Sequence, residues 1–115
     1  MDYITRVSTL RALSDKEMEL SESYSAARTA AGKAKAELET YLTANLKDIR
    51  SRKANVGYDL AILMLCEEHE EAGKARDIYT RETHRYKGLE KLIEAHKSRI
   101  MLEMAIMKFI KEGGG

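Results

Sequence analysis

The chain contains no proline and no tryptophan, a single cysteine, and few aromatic side chains, six Tyr and one Phe. Each scarcity excludes something. One cysteine, Cys66, cannot close an internal disulfide, so the chain is no disulfide scaffold and fits a reducing compartment. Few turn residues and no β-branched runs argue against an all-β fold. Charge of one sign is also missing: twenty Lys and Arg stand against nineteen Asp and Glu, a formal charge of +1. No global field therefore draws the chain to nucleic acid or to an anionic membrane. The longest nearly uncharged runs, residues 60–66 and 100–107, fall far short of the ~20 residues that span a bilayer. The opening MDYITRVSTL carries an early acid and no apolar stretch, unlike a signal peptide, so a cytoplasmic protein without a membrane partner is expected.

What is present is 43% hydrophobic and 34% charged residues, the latter above the roughly 25% of an average globular protein. Together they predict an all-α fold. Ser14 and Glu17 form S-x-x-E, a capping box, which predicts a helix start at Ser14. Residues 1–13 then form an N-terminal arm or a short separate helix, 14–112 the helical domain, and 113–115 a flexible glycine tail. From Ser14 to about Arg50 the apolar or small residues Tyr24, Ala27, Ala31, Ala34, Leu38, Leu42, Asn45 and Ile49 recur at steps of 3 and 4, one helical stripe. Asn55 and Gly57 mark a chain reversal. Residues 58–66, YDLAILMLC, are apolar on every side but Asp59, which predicts a short central helix buried all round. Gly73 is expected to be a second break. A last long helix, 74–112, carries the stripe Ile78, Tyr86, Leu89, Ile93, His96, Ile100, Met104 and Met107. Long helices sharing narrow stripes predict a long antiparallel helical hairpin or small bundle with coiled-coil character.

Chemistry-bearing constellations are thin. Cys66 and His69 share one helical face, but a structural zinc site needs four ligands, there is no second cysteine, and His84 and His96 lie 15 and 27 residues from His69. No His has a Glu three residues before it, so the carboxylate-histidine motif of di-metal bundles is missing. No phosphate-cradling glycine loop and no G-x-S-x-G occur. A protein without catalytic residues, metal or cofactor is expected. Asp59, His96 and Glu103 interrupt apolar surfaces, and a buried carboxylate needs a partner: Asp59 is expected to pair with His96 or a nearby Arg, or to sit on the wet side of the turn, and the same argument applies to Glu103. Lys47, Arg50, Arg52 and Lys53 cluster at the reversal and form a candidate nucleic-acid contact, since phosphate binding rests on such basic corners.

Apolar excess is the more telling feature. Beside the stripe holding Ile100, Met104 and Met107, residues Leu102, Ile106 and Phe109 repeat at steps of 4 and 3 on another face, with Met101 adding adaptable surface. One antiparallel partner covers one stripe. Met101, Leu102, Ile106 and Phe109 are therefore the candidate interface, either for a protein partner or for a homo-oligomer, the alternative being that they pack inside the chain.

Two stretches, NLKDIRSRKANVGYDLAILML at 45–65 and YKGLEKLIEAHKSRIMLEMAIMKF at 86–109, resemble a group of small helical proteins of unknown function encoded by bacteriophages and prophages. The resemblance covers roughly the C-terminal two thirds and supplies no catalytic or ligand residues. It implies a phage accessory protein that acts by binding, within recombination or replication machinery or against a host defence protein.

Overall fold

A computed structural model describes residues 2–52 and 57–113 as three α-helices, α1 Tyr3–Arg52, α2 Tyr58–Glu68 and α3 Glu70–Lys111, with no strand among the described residues. The fold is an all-α helical hairpin. The expected reversal at Asn55, and Gly114 and Gly115 of the expected tail, lie outside the described residues.

The long helix α1 begins eleven residues earlier than the capping box at Ser14 predicts. Asp2 caps it instead: its Oδ1 accepts the Thr5 backbone N–H at 2.7 Å, and its backbone carbonyl accepts from Arg6 N–H at 3.1 Å. The Thr5 amide and hydroxyl hold the Asp2 carboxyl below the usual carboxylate range. Ser14 lies exposed in mid-helix, where a capping box has no free amides to serve. What carries the helix past Ser14 is a stripe of shielded residues that begins before it: Arg6, Leu10, Leu13, Glu17, Leu20 and Tyr24, then Ala27, Ala31, Ala34 and Leu38. Steps of 4 and 3 alternate strictly across this run, the 3.5-residue spacing of a coiled-coil seam. Beyond Leu38 the stripe continues through Leu42, Asn45 and Ile49, as the sequence predicts. Polar mid-helix residues bond the preceding turn, as Thr40 Oγ1 to the Ala36 carbonyl and Asn45 Nδ2 to that of Tyr41.

Between α2 and α3 the break falls at His69, not at Gly73. His69 is extended (φ −123°, ψ 109°), its N–H closes α2 on the Leu65 carbonyl, and its own carbonyl accepts the Gly73 N–H. Electrostatics explains the position. A helix running through EEHEE would hold four acids in one stretch, whereas a new start at Glu70 puts Glu70 and Glu71 in a first turn, where the helix dipole favours anions. Lys74 pairs with both at 3.6 and 3.5 Å.

The described chain divides into two compact units. One is formed by residues 27–84, and its core is Leu38, Leu42 and Ile49 of α1, Ala61, Ile62 and Leu65 of α2, and Ala72 and Ala75 of α3. The helix α2 is buried on one side only: Leu65 is fully covered, but Tyr58, Leu60 and Leu63 are exposed. Burial all round, expected from its composition, is therefore not found, because Leu38, Leu42 and Ile49 of α1 and Ala72 and Ala75 of α3 cover only the face of α2 that bears Ala61, Ile62 and Leu65. Arg52 ties the end of α1 to the end of α2 through a two-pronged pair with Glu68, its Nη2 donating to Glu68 Oε2 at 2.8 Å, and also meets Asp48 at 3.2 Å.

The other unit is the pairing of α1 up to Ala26 with α3 from Arg85 onward. Four contacts set its register. Arg6 Nη1 donates to Glu103 Oε2 at 3.0 Å, His96 Nε2 to the Leu13 carbonyl at 2.6 Å, Lys97 Nζ lies 4.0 Å from Glu17 Oε1, and Tyr24 and Tyr86 meet edge to face at 6.0 Å. As the α1 number rises the α3 number falls, so the two segments run antiparallel. Among the described apolar residues of this unit only Leu13 is buried; the rest of the seam is half-covered.

Candidate functional site

The shielded residues of α3 are Ala72, Ala75, Tyr79, Glu82, Tyr86, Leu89, Ile93, His96, Ile100, Glu103, Met107 and Ile110. Alternating steps of 3 and 4 again make a 3.5-residue seam. Six of the stripe residues expected from sequence lie on it, but Ile78 and Met104 do not and are exposed. Tyr79 and Glu103 take their places. Glu103 is tolerated there because Arg6 arrives opposite it, and each side chain is only about one-fifth exposed. His96 is tolerated because its ring N–H reaches the Leu13 carbonyl, and a carbonyl can only accept, so the proton sits on Nε2. Asp59 takes the plain solution: it is exposed in the first turn of α2, on the favourable end of the helix dipole.

A second seam runs along α3 about 100° around the helix from the first. Its residues are Gly88, Leu92, Ala95, Arg99, Leu102, Ile106 and Phe109, at steps of 4 and 3 without interruption. Leu92, Leu102 and Phe109 are 57–60% exposed, and Ile106 is half-covered. The structure thus brings Leu102, Ile106 and Phe109 of the expected interface together. Met101, 70% exposed, lies about 100° away from Leu102 and belongs to another, mostly charged face. Leu92, Ala95 and Arg99 were not among the expected residues. The signal for them is the seven-residue spacing of Gly88, Ala95, Leu102 and Phe109, which small side chains disguise at its start. Eight of the twelve large hydrophobic residues exposed among the described residues fall in this unit.

The basic corner is less coherent. Lys47 and Arg50 are exposed near the end of α1, but Arg52 is taken up by Glu68 and Asp48, and Lys53 lies outside the described residues. The Arg52–Glu68 pair raises the guanidinium pKa and holds the Glu68 carboxyl below its ordinary range.

Cys66 is half-buried, and burial pushes its thiol pKa up, which disfavours the thiolate needed for nucleophilic chemistry. Among the described residues no three His, Cys, Asp or Glu side chains converge to hold a metal ion, and no helix is long and apolar enough to cross a membrane. Unit 27–84 has a cleft of about 480 Å³ lined by Leu38 and Ile62, with Lys35 and Arg76 offset by Glu39 and Asp59. No protein-family model, curated protein or solved structure matches the chain.

Proposed function

We propose that this protein is a non-enzymatic binding protein that docks another protein through the exposed second seam of α3. The observation that supports the reading is the geometry of that seam: coiled-coil spacing sustained over Gly88, Leu92, Ala95, Arg99, Leu102, Ile106 and Phe109, with Leu92, Leu102 and Phe109 open to water. Single exposed leucines are ordinary, whereas a continuous apolar stripe at helical spacing is the form that partner helices recognise. The paired α1 and α3 segments bury one stripe each and leave this one uncovered. The resemblance of residues 45–65 and 86–109 to small phage-encoded helical proteins supplies a setting, an accessory to recombination or replication machinery or an inhibitor of a host protein, inside a cell's cytoplasm.

The test is affinity capture from nuclease-treated cell lysate, comparing the parent with Leu102→Glu/Phe109→Glu. A protein retained by the parent and lost by the variant supports the reading. Identical captures by both refute it. Direct nucleic-acid binding is the second reading, with Lys47 and Arg50 as the exposed cations that favour it. It requires retention on DNA at low salt that falls steeply as salt rises.

A further inference from the structure

The second seam is apolar except at one position, Arg99, which stands between Ala95 and Leu102. Arg99 is exposed and has no ion-pair partner among the described residues. Beside it, α1 and α3 leave a groove of about 380 Å³ floored by Leu20 and His96 and edged by Lys16, Leu92, Ala95 and Arg99. Two cations thus flank an otherwise apolar groove. Lys16 is only loosely engaged, 3.5 Å from Glu19 with both side chains largely exposed.

A partner helix lying on this seam brings one of its own stripe residues against Arg99. If that residue is apolar, the guanidinium loses water and gains nothing, which is costly. A carboxylate there gives a charge-assisted hydrogen bond and fixes the register, as single polar residues do in coiled-coil seams. A second copy paired through the same seam does not supply it. The seam residues from Gly88 to Phe109 and the row Lys91, Ser98 and Ala105 beside them include no acid, and Glu90 and Glu94 lie farther around the helix, so two copies paired seam to seam bring no carboxylate to Arg99.

Resting on the protein-binding reading above, we infer that the second seam of α3 takes an amphipathic helix of a different protein, whose apolar stripe carries one carboxylate opposite Arg99. The occupant is selected by the combination: leucine-sized side chains for Leu92, Leu102, Ile106 and Phe109, an acid for Arg99 and Lys16.

The experiment uses three fluorescent helical peptides with a common leucine- and alanine-bearing heptad stripe that differ at one central stripe residue, Glu, Gln or Lys. Fluorescence anisotropy measures their binding to the full chain, with sedimentation of the chain alone alongside. The Glu peptide is expected to bind about tenfold more tightly than the Lys peptide, as complementary charge inside an apolar contact does. The preference is expected to vanish in Arg99→Ala and reverse in Arg99→Glu, with circular dichroism of both variants unchanged. Equal binding of all three peptides, a preference that survives Arg99→Ala, or binding of none overturns the inference. So does a parent that dimerises through this face, shown by loss of the dimer in Leu102→Glu/Phe109→Glu. If the peptides fail while lysate capture still depends on Leu102 and Phe109, the acidic-helix inference falls and the protein-binding reading stands.

Discussion

The Arg6–Glu103 pair joins residues 97 positions apart and gives the register of the α1–α3 pairing a direct energetic test. Each side chain is about one-fifth exposed, so solvent screens the pair only lightly, and Arg6 Nε is buried with no hydrogen-bond partner. Glu103→Ala leaves the guanidinium half-buried beside the α3 seam without its acceptor. Hydrogen bonds to charged groups contribute about 1.5–3 kcal/mol, which sets the expected loss at about 2 kcal/mol. For a chain of this size that lowers the thermal midpoint by roughly 8 °C. Arg6→Ala is expected to cost a similar amount. The double variant Arg6→Met/Glu103→Leu removes both charges and fills the seam with apolar atoms, and it is expected to be nearly neutral, because replacing a desolvated ion pair by hydrocarbon seldom destabilises. Lys16→Ala, which breaks a largely exposed pair, serves as the control and is expected to change stability by less than about 0.5 kcal/mol. Urea unfolding of the parent, Glu103→Ala, Arg6→Ala and Arg6→Ala/Glu103→Ala, followed by circular dichroism, yields the four free energies of the cycle and the coupling between sites 6 and 103. A coupling indistinguishable from zero refutes the register, because side chains that do not meet cannot interact.

Gly32 lies exposed inside α1 with open space where a Cβ would stand, so Gly32→Ala is expected to stabilise the chain by about 0.5–1 kcal/mol; a destabilised variant contradicts an unbroken helix there. The raised thiol pKa of Cys66 predicts slower reaction with a disulfide reagent at pH 7 than an unfolded peptide shows, with the rate rising as the pH passes above the usual thiol range; a rate equal to the peptide's refutes the burial. The Glu68 carboxyl is held low by Arg52, so its contribution is present above the unfolded carboxylate pKa and is lost as the pH falls through the lower folded value. Stability against acid is therefore expected to decline less steeply in Glu68→Gln than in the parent, and superimposable pH profiles contradict the pairing.

The legible parts of the fold are those where one local pattern had no competitor. The α1 stripe from Ala27 to Ile49 and the hairpin class follow from uninterrupted steps of 3 and 4 in a chain without proline. The missed parts are where a local signal met a longer-range one. The capping box at Ser14 is sound chemistry in the wrong place, because the seam through Leu10, Leu13 and Glu17 continues the helix across it. Glu103 stands out in the sequence as an acid in need of a partner, but only the fold brings Arg6 opposite it, and Arg52 reads as a free cation until Glu68, sixteen residues on, closes over it. Composition made residues 58–66 look buried on all sides, but burial requires neighbours on all sides, and α1 and α3 supply them on one. In the candidate site, Leu102, Ile106 and Phe109 declared themselves by size. Gly88, Ala95 and Arg99 did not, since small and charged residues dilute hydrophobicity while keeping the seven-residue period.

The central claim is that the second seam of α3 lies outside the core and is free for a partner. Leu102→Glu/Phe109→Glu tests it with circular dichroism and thermal unfolding of the isolated chain. The account predicts unchanged helicity and an unfolding free energy within about 0.5 kcal/mol per substituted site, the usual range for surface changes. Collapse of helicity, or a loss of several kcal/mol as expected for unpaired buried charges, would place these residues in the core and contradict it.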